Sequence, residues 1–182
     1  MKTIIQFYTK AKAFESLANF YDACAQVEID EYRDYEKALN AMKEAKRQLD
    51  NSAAVNKDVK QNLLLKRIKY LESYCEAREA FNNGNYEQMA RICDSLVDQP
   101  SVDEAVRLGD VFANLIEFHM NKGDVQQSYS YLQKMQKKKI VIDPYLDRKM
   151  VEDIYRGMGM PNPHKQYGAG SDDIEEDINE EF

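Results

Sequence analysis

Apolar side chains along this chain recur at intervals of three and four residues, the spacing that gathers them on one face of an α-helix. Leu17, Phe20, Tyr21 and Cys24 make one such face, and Tyr35, Ala38, Leu39, Met42, Ala45 and Leu49 make the next. A denser stripe follows with Val59, Leu63, Leu64, Ile68, Leu71, Tyr74 and Cys75. The pattern predicts helices at about 3–9, 12–29, 34–50, 56–82, 85–98, 102–121, 125–138 and 145–157. Neither Gly nor Pro precedes Gly84, and the whole chain has only seven and four of them. That leaves too few turn-forming residues for a multi-stranded sheet, so the expected fold class is all-α.

Stop and start signals divide these helices into hairpins. Asn82-Asn83-Gly84-Asn85 and Asn121-Lys122-Gly123-Asp124 each place a Gly just past one helix and an Asn or Asp ready to cap the next. Gln99-Pro100-Ser101 ends another helix, and Ser101 with Glu104 has the spacing of a capping box.

One turn device occurs three times, at Asp34-Tyr35-Glu36-Lys37-Ala38, Asn85-Tyr86-Glu87-Gln88-Met89 and Asp124-Val125-Gln126-Gln127-Ser128. Each has a polar cap, an apolar or aromatic plug, and three residues later a small or flexible side chain that lets helices approach. The caps are spaced 51 and then 39 residues apart, against about 34 for a regular tetratricopeptide repeat. The repeats are therefore degenerate. The expected architecture is a tetratricopeptide-like right-handed α-solenoid of stacked hairpins over residues 1–160, in preference to a closed bundle. Repeats are expected at about 12–50, 56–98 and 102–138, with a final helix near 145–157.

The two ends differ. Ile4, Ile5, Phe7 and Tyr8 make the first helix apolar for an end, so either something packs there or a preceding hairpin covers it in a longer solenoid; alone, the chain is expected to self-associate through this end. At the other end Gly157, Gly159, Pro161 and Pro163 stop the last helix. Residues 161–182 read as a disordered acidic tail.

Charge sharpens this division. The net charge of -7 equals the seven acids between Ser171 and Phe182, and residues 1–170 hold 25 acidic and 25 basic residues. A neutral body beside a negative run argues against nucleic-acid binding, which draws its affinity from clustered Lys and Arg. The most basic run, Lys137-Lys138-Lys139 with Lys134 one turn earlier, either complements the dipole at a helix end or meets an acidic partner. No apolar stretch nears the ~20 residues of a membrane span, so no membrane insertion is expected.

Cys24, Cys75 and Cys93 are an odd number without a CxxC pair, which predicts buried, reduced, inert thiols and a cytosolic setting. His119 and His164 are the only histidines and carry no metal-ligand spacing. No nucleophile constellation or phosphate-cradling glycine loop is present. No enzyme activity, cofactor or metal is expected.

The candidate partner-binding residues are Tyr74 and Arg78 on one helical face, and Glu117, Met120 and Asn121 on another. Such positions line the concave surface of tetratricopeptide arrays, and Tyr and Arg are favoured interface anchors. The competing reading for a tyrosine at helical spacing is a core ring whose hydroxyl reaches water.

The run Phe7-Tyr8-Thr9-Lys10, continuing through Leu17-Ala18-Asn19-Phe20-Tyr21-Asp22-Ala23-Cys24-Ala25-Gln26-Val27-Glu28-Ile29-Asp30-Glu31-Tyr32, resembles the C-terminal part of the intraflagellar transport protein 140 family. Arg107-Leu108-Gly109-Asp110-Val111 and Arg156-Gly157-Met158-Gly159-Met160-Pro161 extend the resemblance, whereas residues 50–100 match only in pattern. The resemblance implies the terminal solenoid of a large subunit of the intraflagellar transport A complex. That complex works in retrograde ciliary transport and in admitting membrane proteins to cilia. Sibling subunits are the implied partners, and the cytoplasm, cilium and ciliary base the implied location. No catalytic residue or cofactor comes with the resemblance. Two roles remain open: a scaffold that holds sibling subunits in register, and a module that takes a short cargo segment in its groove.

Overall fold

A computed structural model describes residues 2–161 and Pro163, and among these residues eight α-helices and no strand occur. They are α1 (Lys2–Lys10), α2 (Phe14–Val27), α3 (Tyr35–Asp50), α4 (Lys57–Asn82), α5 (Tyr86–Val97), α6 (Leu108–Asn121), α7 (Val125–Lys137) and α8 (Arg148–Gly157). A π-helical turn, Glu28–Tyr32, extends α2, and a 3₁₀ turn, Val102–Glu104, lies between α5 and α6. The main helix contacts are between consecutive helices, from α1 against α2 to α7 against α8. Hairpins stacked in chain order make this an all-α, tetratricopeptide-like solenoid. The acidic run 171–182 and His164 lie outside the described residues.

All three repeated turns form as caps. Asp34 Oδ1 accepts from Lys37 N at 3.0 Å, Asn85 Oδ1 from Gln88 N at 3.3 Å, and Asp124 Oδ1 from Gln127 N at 3.0 Å. Gly84 and Gly123 take φ of 75° and 76°, the left-handed conformation that ends a helix without Cβ strain. Asn85 N then returns to Ala80 O at 2.8 Å and Asp124 N to His119 O at 2.9 Å. The small or flexible position of each turn, Ala38, Met89 and Ser128, is buried where the helices approach. The uneven spacing has a visible cause: α4 is 26 residues long, which lengthens the first interval.

The core is one cluster that runs from Ala25 in α2 to Tyr155 in α8. Its largest fully buried members include Tyr35, Phe112, Met42, Leu71, Leu132 and Ile154. Full burial of one such side chain contributes about 1.5–3 kcal/mol. Exposed ion pairs such as Lys43–Glu72 at 2.7 Å contribute about 0–1 kcal/mol each. Apolar burial between successive helices therefore dominates cohesion.

Two expected helix starts change. The helix expected at 102–121 begins at Leu108, because Ser101 takes a left-handed φ of 59° and makes no capping bond. The intervening residues are tied to α4 instead: Tyr70 Oη donates to Pro100 O at 3.2 Å and Arg67 Nε to Glu104 O at 3.0 Å, which lets Val102, Ala105 and Val106 drop into the core. The final helix begins at Arg148 rather than 145, with Asp147 as its cap accepting from Lys149 N.

The faces also differ from the spacing. In α2 the buried residues are Leu17, Ala18 and Ala25, continued by Ile29 in the π turn, while Phe20 and Cys24 turn towards a surface groove with Val27 and Tyr32. The α4 stripe divides: Leu64, Ile68, Leu71 and Tyr74 are buried, but Val59 and Leu63 are exposed. In α1 no residue is buried, and Phe7 is 67% exposed.

Cys93 is buried, and Cys24 and Cys75 are half-buried rather than fully enclosed. Burial raises all three thiols, Cys75 to about 11 and Cys93 to about 12. Each stays protonated at neutral pH, which suppresses thiolate reactivity.

Candidate protein-interaction groove

Five residues carried the sequence-based expectation of a binding surface, and the fold distributes them between core and groove. Tyr74 is 3% exposed. Its ring meets Tyr35 edge-on at 4.7 Å, and its hydroxyl accepts from Asn114 Nδ2 at 3.2 Å. Burial lifts the Tyr74 hydroxyl far above its ordinary pKa, so it stays neutral. Arg78, one turn on, is exposed and rests its guanidinium 5.4 Å from the centre of the Tyr35 ring. Tyr74 and Arg78 thus both pack on Tyr35, at the seam between α3 and α4. Met120 is half-buried against the core.

Glu117 and Asn121 do share a surface. They line a groove of about 480 Å³ between the α4–α5 turn and the end of α6, together with Phe81, Tyr86, Phe118 and Lys122. The helical step of four residues puts Glu117 and Asn121 on the same side of α6. Across from them Phe81 and Tyr86 form an edge-on pair with centroids 5.4 Å apart, and both are about half exposed. Lys122 pairs with Glu87 and holds its ammonium 4.5 Å from the centre of the Phe118 ring.

Glu117 is the uncompensated group in this groove. Among the described residues its carboxylate has no hydrogen bond or ion pair. Burial alone raises its carboxyl above the ordinary glutamate value. The folded state therefore binds this proton more tightly than the unfolded chain does. Stability falls as pH rises between the two values, and the penalty is full above the folded one. Glu117→Gln is accordingly expected to raise the melting temperature modestly at neutral pH. That gain should vanish as pH falls below the ordinary carboxylate range. Thermal scans from pH 4 to pH 8 check this, and a variant that melts below the parent at neutral pH would contradict it.

Spacing missed Phe81, Tyr86 and Lys122. They sit in or beside the glycine turns at Gly84 and Gly123, where the sequence points to helix capping and, for Tyr86, to a plug between helices. The signal in the sequence is a pair of aromatics, Phe81 and Tyr86, flanking one Asn-Gly turn.

The other titratable groups are arranged for packing. His119 sits beside Phe118 and Tyr131, with ring centroids 5.1 and 5.6 Å away, and its Nδ1 is 3.6 Å from Asp124 Oδ2. No group of three metal-ligating side chains is gathered among the described residues. No helix among them is long and apolar enough to cross a membrane.

The motif Arg107-Leu108-Gly109-Asp110-Val111 holds distant hairpins together. Asp110 accepts a hydrogen bond from the Tyr35 hydroxyl and pairs with Arg33 Nη1 at 3.3 Å, joining the start of α6 to the start of α3. Arg107 donates through Nη1 to Asp30 O at 2.6 Å and through Nη2 to the Tyr145 hydroxyl at 2.9 Å. The Tyr145 ring also lies near the guanidinium of Arg33, which donates to Pro144 O at 3.2 Å. Gly109 makes room for that ring, since a Cβ there would lie 2.4 Å from its carbons.

Hairpins in series and repeated Asn/Asp caps are features of a helical-repeat solenoid. The family described as the C-terminal tetratricopeptide domain of intraflagellar transport protein 140 matches residues 15–136, from α2 to the end of α7. This chain belongs to that family, whose tetratricopeptide fold serves protein–protein interaction in intraflagellar transport.

Proposed function

We propose that the chain is a non-catalytic scaffold segment of an intraflagellar transport A subunit, joining sibling subunits for retrograde ciliary transport and for entry of membrane proteins into cilia. Its place of work on this reading is the cytoplasm, the cilium and the ciliary base. The observation that carries the reading is the stacked-hairpin array of the family fold, which presents unpartnered apolar surface on α1 and on the first turns of α4. Ile4, Phe7, Val59 and Leu63 are all more than two-fifths exposed, and apolar surface of this kind is stabilised when a partner covers it.

Light scattering after size exclusion, on the chain alone and with each sibling subunit added, tests the scaffold. A stable hetero-complex with one sibling is the expected result. Self-association of the chain alone, relieved by Phe7→Ser, would place the α1 surface in that contact. A monomer that ignores every sibling would overturn the scaffold reading.

A second reading, a module that captures a short peptide, is favoured by the groove at Glu117 and Asn121, which has ring faces, amides and an unpaired carboxylate in one place.

A further inference from the structure

The groove between the α4–α5 turn and the end of α6 constrains the chemistry of its ligand. Its volume of about 480 Å³ suits one or two side chains rather than a whole helix. Three rings border it, Phe81, Tyr86 and Phe118, and their faces attract cations. The chain's own Lys122 already rests on Phe118, but Glu87 holds that ammonium, and Glu117 remains without a counter-charge among the described residues.

We propose that this groove binds an arginine side chain projecting from an extended segment of a partner protein, with Glu117 as the carboxylate that receives it and the Phe81–Tyr86 pair as its stacking surface. The inference rests on the reading of this chain as a protein-binding module. It adds the chemistry of the partner at that site.

Charge complementarity selects the occupant. An apolar side chain would bury Glu117 further with no counter-charge, and an acidic one would be repelled. The chain's own run between Ser171 and Phe182 carries seven acids and no base, so it is excluded as an occupant on charge. Between the two long cations, guanidinium fits better. It is planar, weakly hydrated, stacks on aromatic faces and donates two parallel N–H bonds to one carboxylate. Asn121, whose side chain makes no hydrogen bond among the described residues, offers an amide carbonyl beside that carboxylate for a further N–H.

The test uses the full chain and an array of short overlapping peptides tiled from the sibling subunits. Bound peptides are resynthesised with citrulline, the neutral isostere, in place of each arginine, and with lysine. The expected result is a peptide whose affinity falls about tenfold or more with citrulline at one position, and by as much again for the parent peptide on the Glu117→Gln chain. The two changes together should cost little more than either one. Glu72→Gln, which removes an exposed carboxylate paired with Lys43 on the seam with α3, controls for general charge and should leave affinity unchanged. Binding that tolerates citrulline, binding unaffected by Glu117→Gln, or no arginine peptide bound at all would each overturn the inference. The scaffold reading fails separately, when no sibling joins the chain in light scattering, so the two failures are distinguishable.

Discussion

Asp110→Ala is expected to lower the stability of the chain by about 3 kcal/mol. Asp110 is 14% exposed and holds two groups from another hairpin, the Tyr35 hydroxyl and the Arg33 guanidinium. Removing the carboxylate leaves a buried hydroxyl without its acceptor, which costs about 1–3 kcal/mol. The loss at Arg33 is smaller because its side chain is 41% exposed and water takes over part of the pairing. Asp110 is also the third residue of α6, where a negative charge complements the helix dipole by about 0.3–1 kcal/mol.

In a domain of this size each kcal/mol moves the melting temperature by about 2–4 °C, so the shift is about 6–12 °C. Asp110→Asn separates the parts. It keeps an acceptor for Tyr35 but gives up the charge, and should cost less than half as much. Combining Asp110→Ala with Tyr35→Phe should be less damaging than the sum of the single changes, because the hydroxyl left unsatisfied by the first is removed by the second. Additive losses in urea melts would show that the two residues act independently and that the seam between α3 and α6 is held elsewhere.

Gly109→Ala should destabilise the chain by about 1–2 kcal/mol, although alanine is intrinsically the better helix former by about 1 kcal/mol. The substituted Cβ would stand 2.4 Å from two Tyr145 ring carbons, so the ring must leave its seat. It would lose the hydrogen bonds from Arg107 Nε at 3.2 Å and Nη2 at 2.9 Å and its place beside Arg33. With the segment that leads from α7 into α8 loosened, amides of residues 142–150 should exchange faster with solvent.

The decisive measurement is the same substitution in a Tyr145→Ala background. There the obstruction is gone and Gly109→Ala should become stabilising by about 0.5–1 kcal/mol. A sign that does not invert would show that the glycine is kept for the helix backbone rather than for the ring.

Both predictions fall on a motif that carries the family resemblance. Its residues are legible as a run in the sequence, but their work is not. Arg107 reaches Asp30 and Asp110 reaches Tyr35, partners more than seventy residues away in the chain. No helical spacing encodes such a pairing. The groove shows the same division. Glu117 and Asn121 are found by their four-residue step, which is a property of one helix. Phe81 and Tyr86 border that groove only because the α4–α5 turn folds back beside α6.

Local physics is therefore what the sequence by itself determined: helix content, the three capped turns and the order of the hairpins. Caps, glycines and apolar spacing act within a few residues, so their energetic preferences can be read in place. Tertiary structure decided everything that depends on competition between distant neighbours. It drew 102–106 out of the expected helix because ties to α4 and burial of Val102, Ala105 and Val106 outweighed a capping box. It rotated the buried face of α2 away from Phe20 and Cys24, and placed Tyr74 in the core rather than at a surface. Which face of a helix is covered depends on what arrives to cover it, and that is settled only when the hairpins stack.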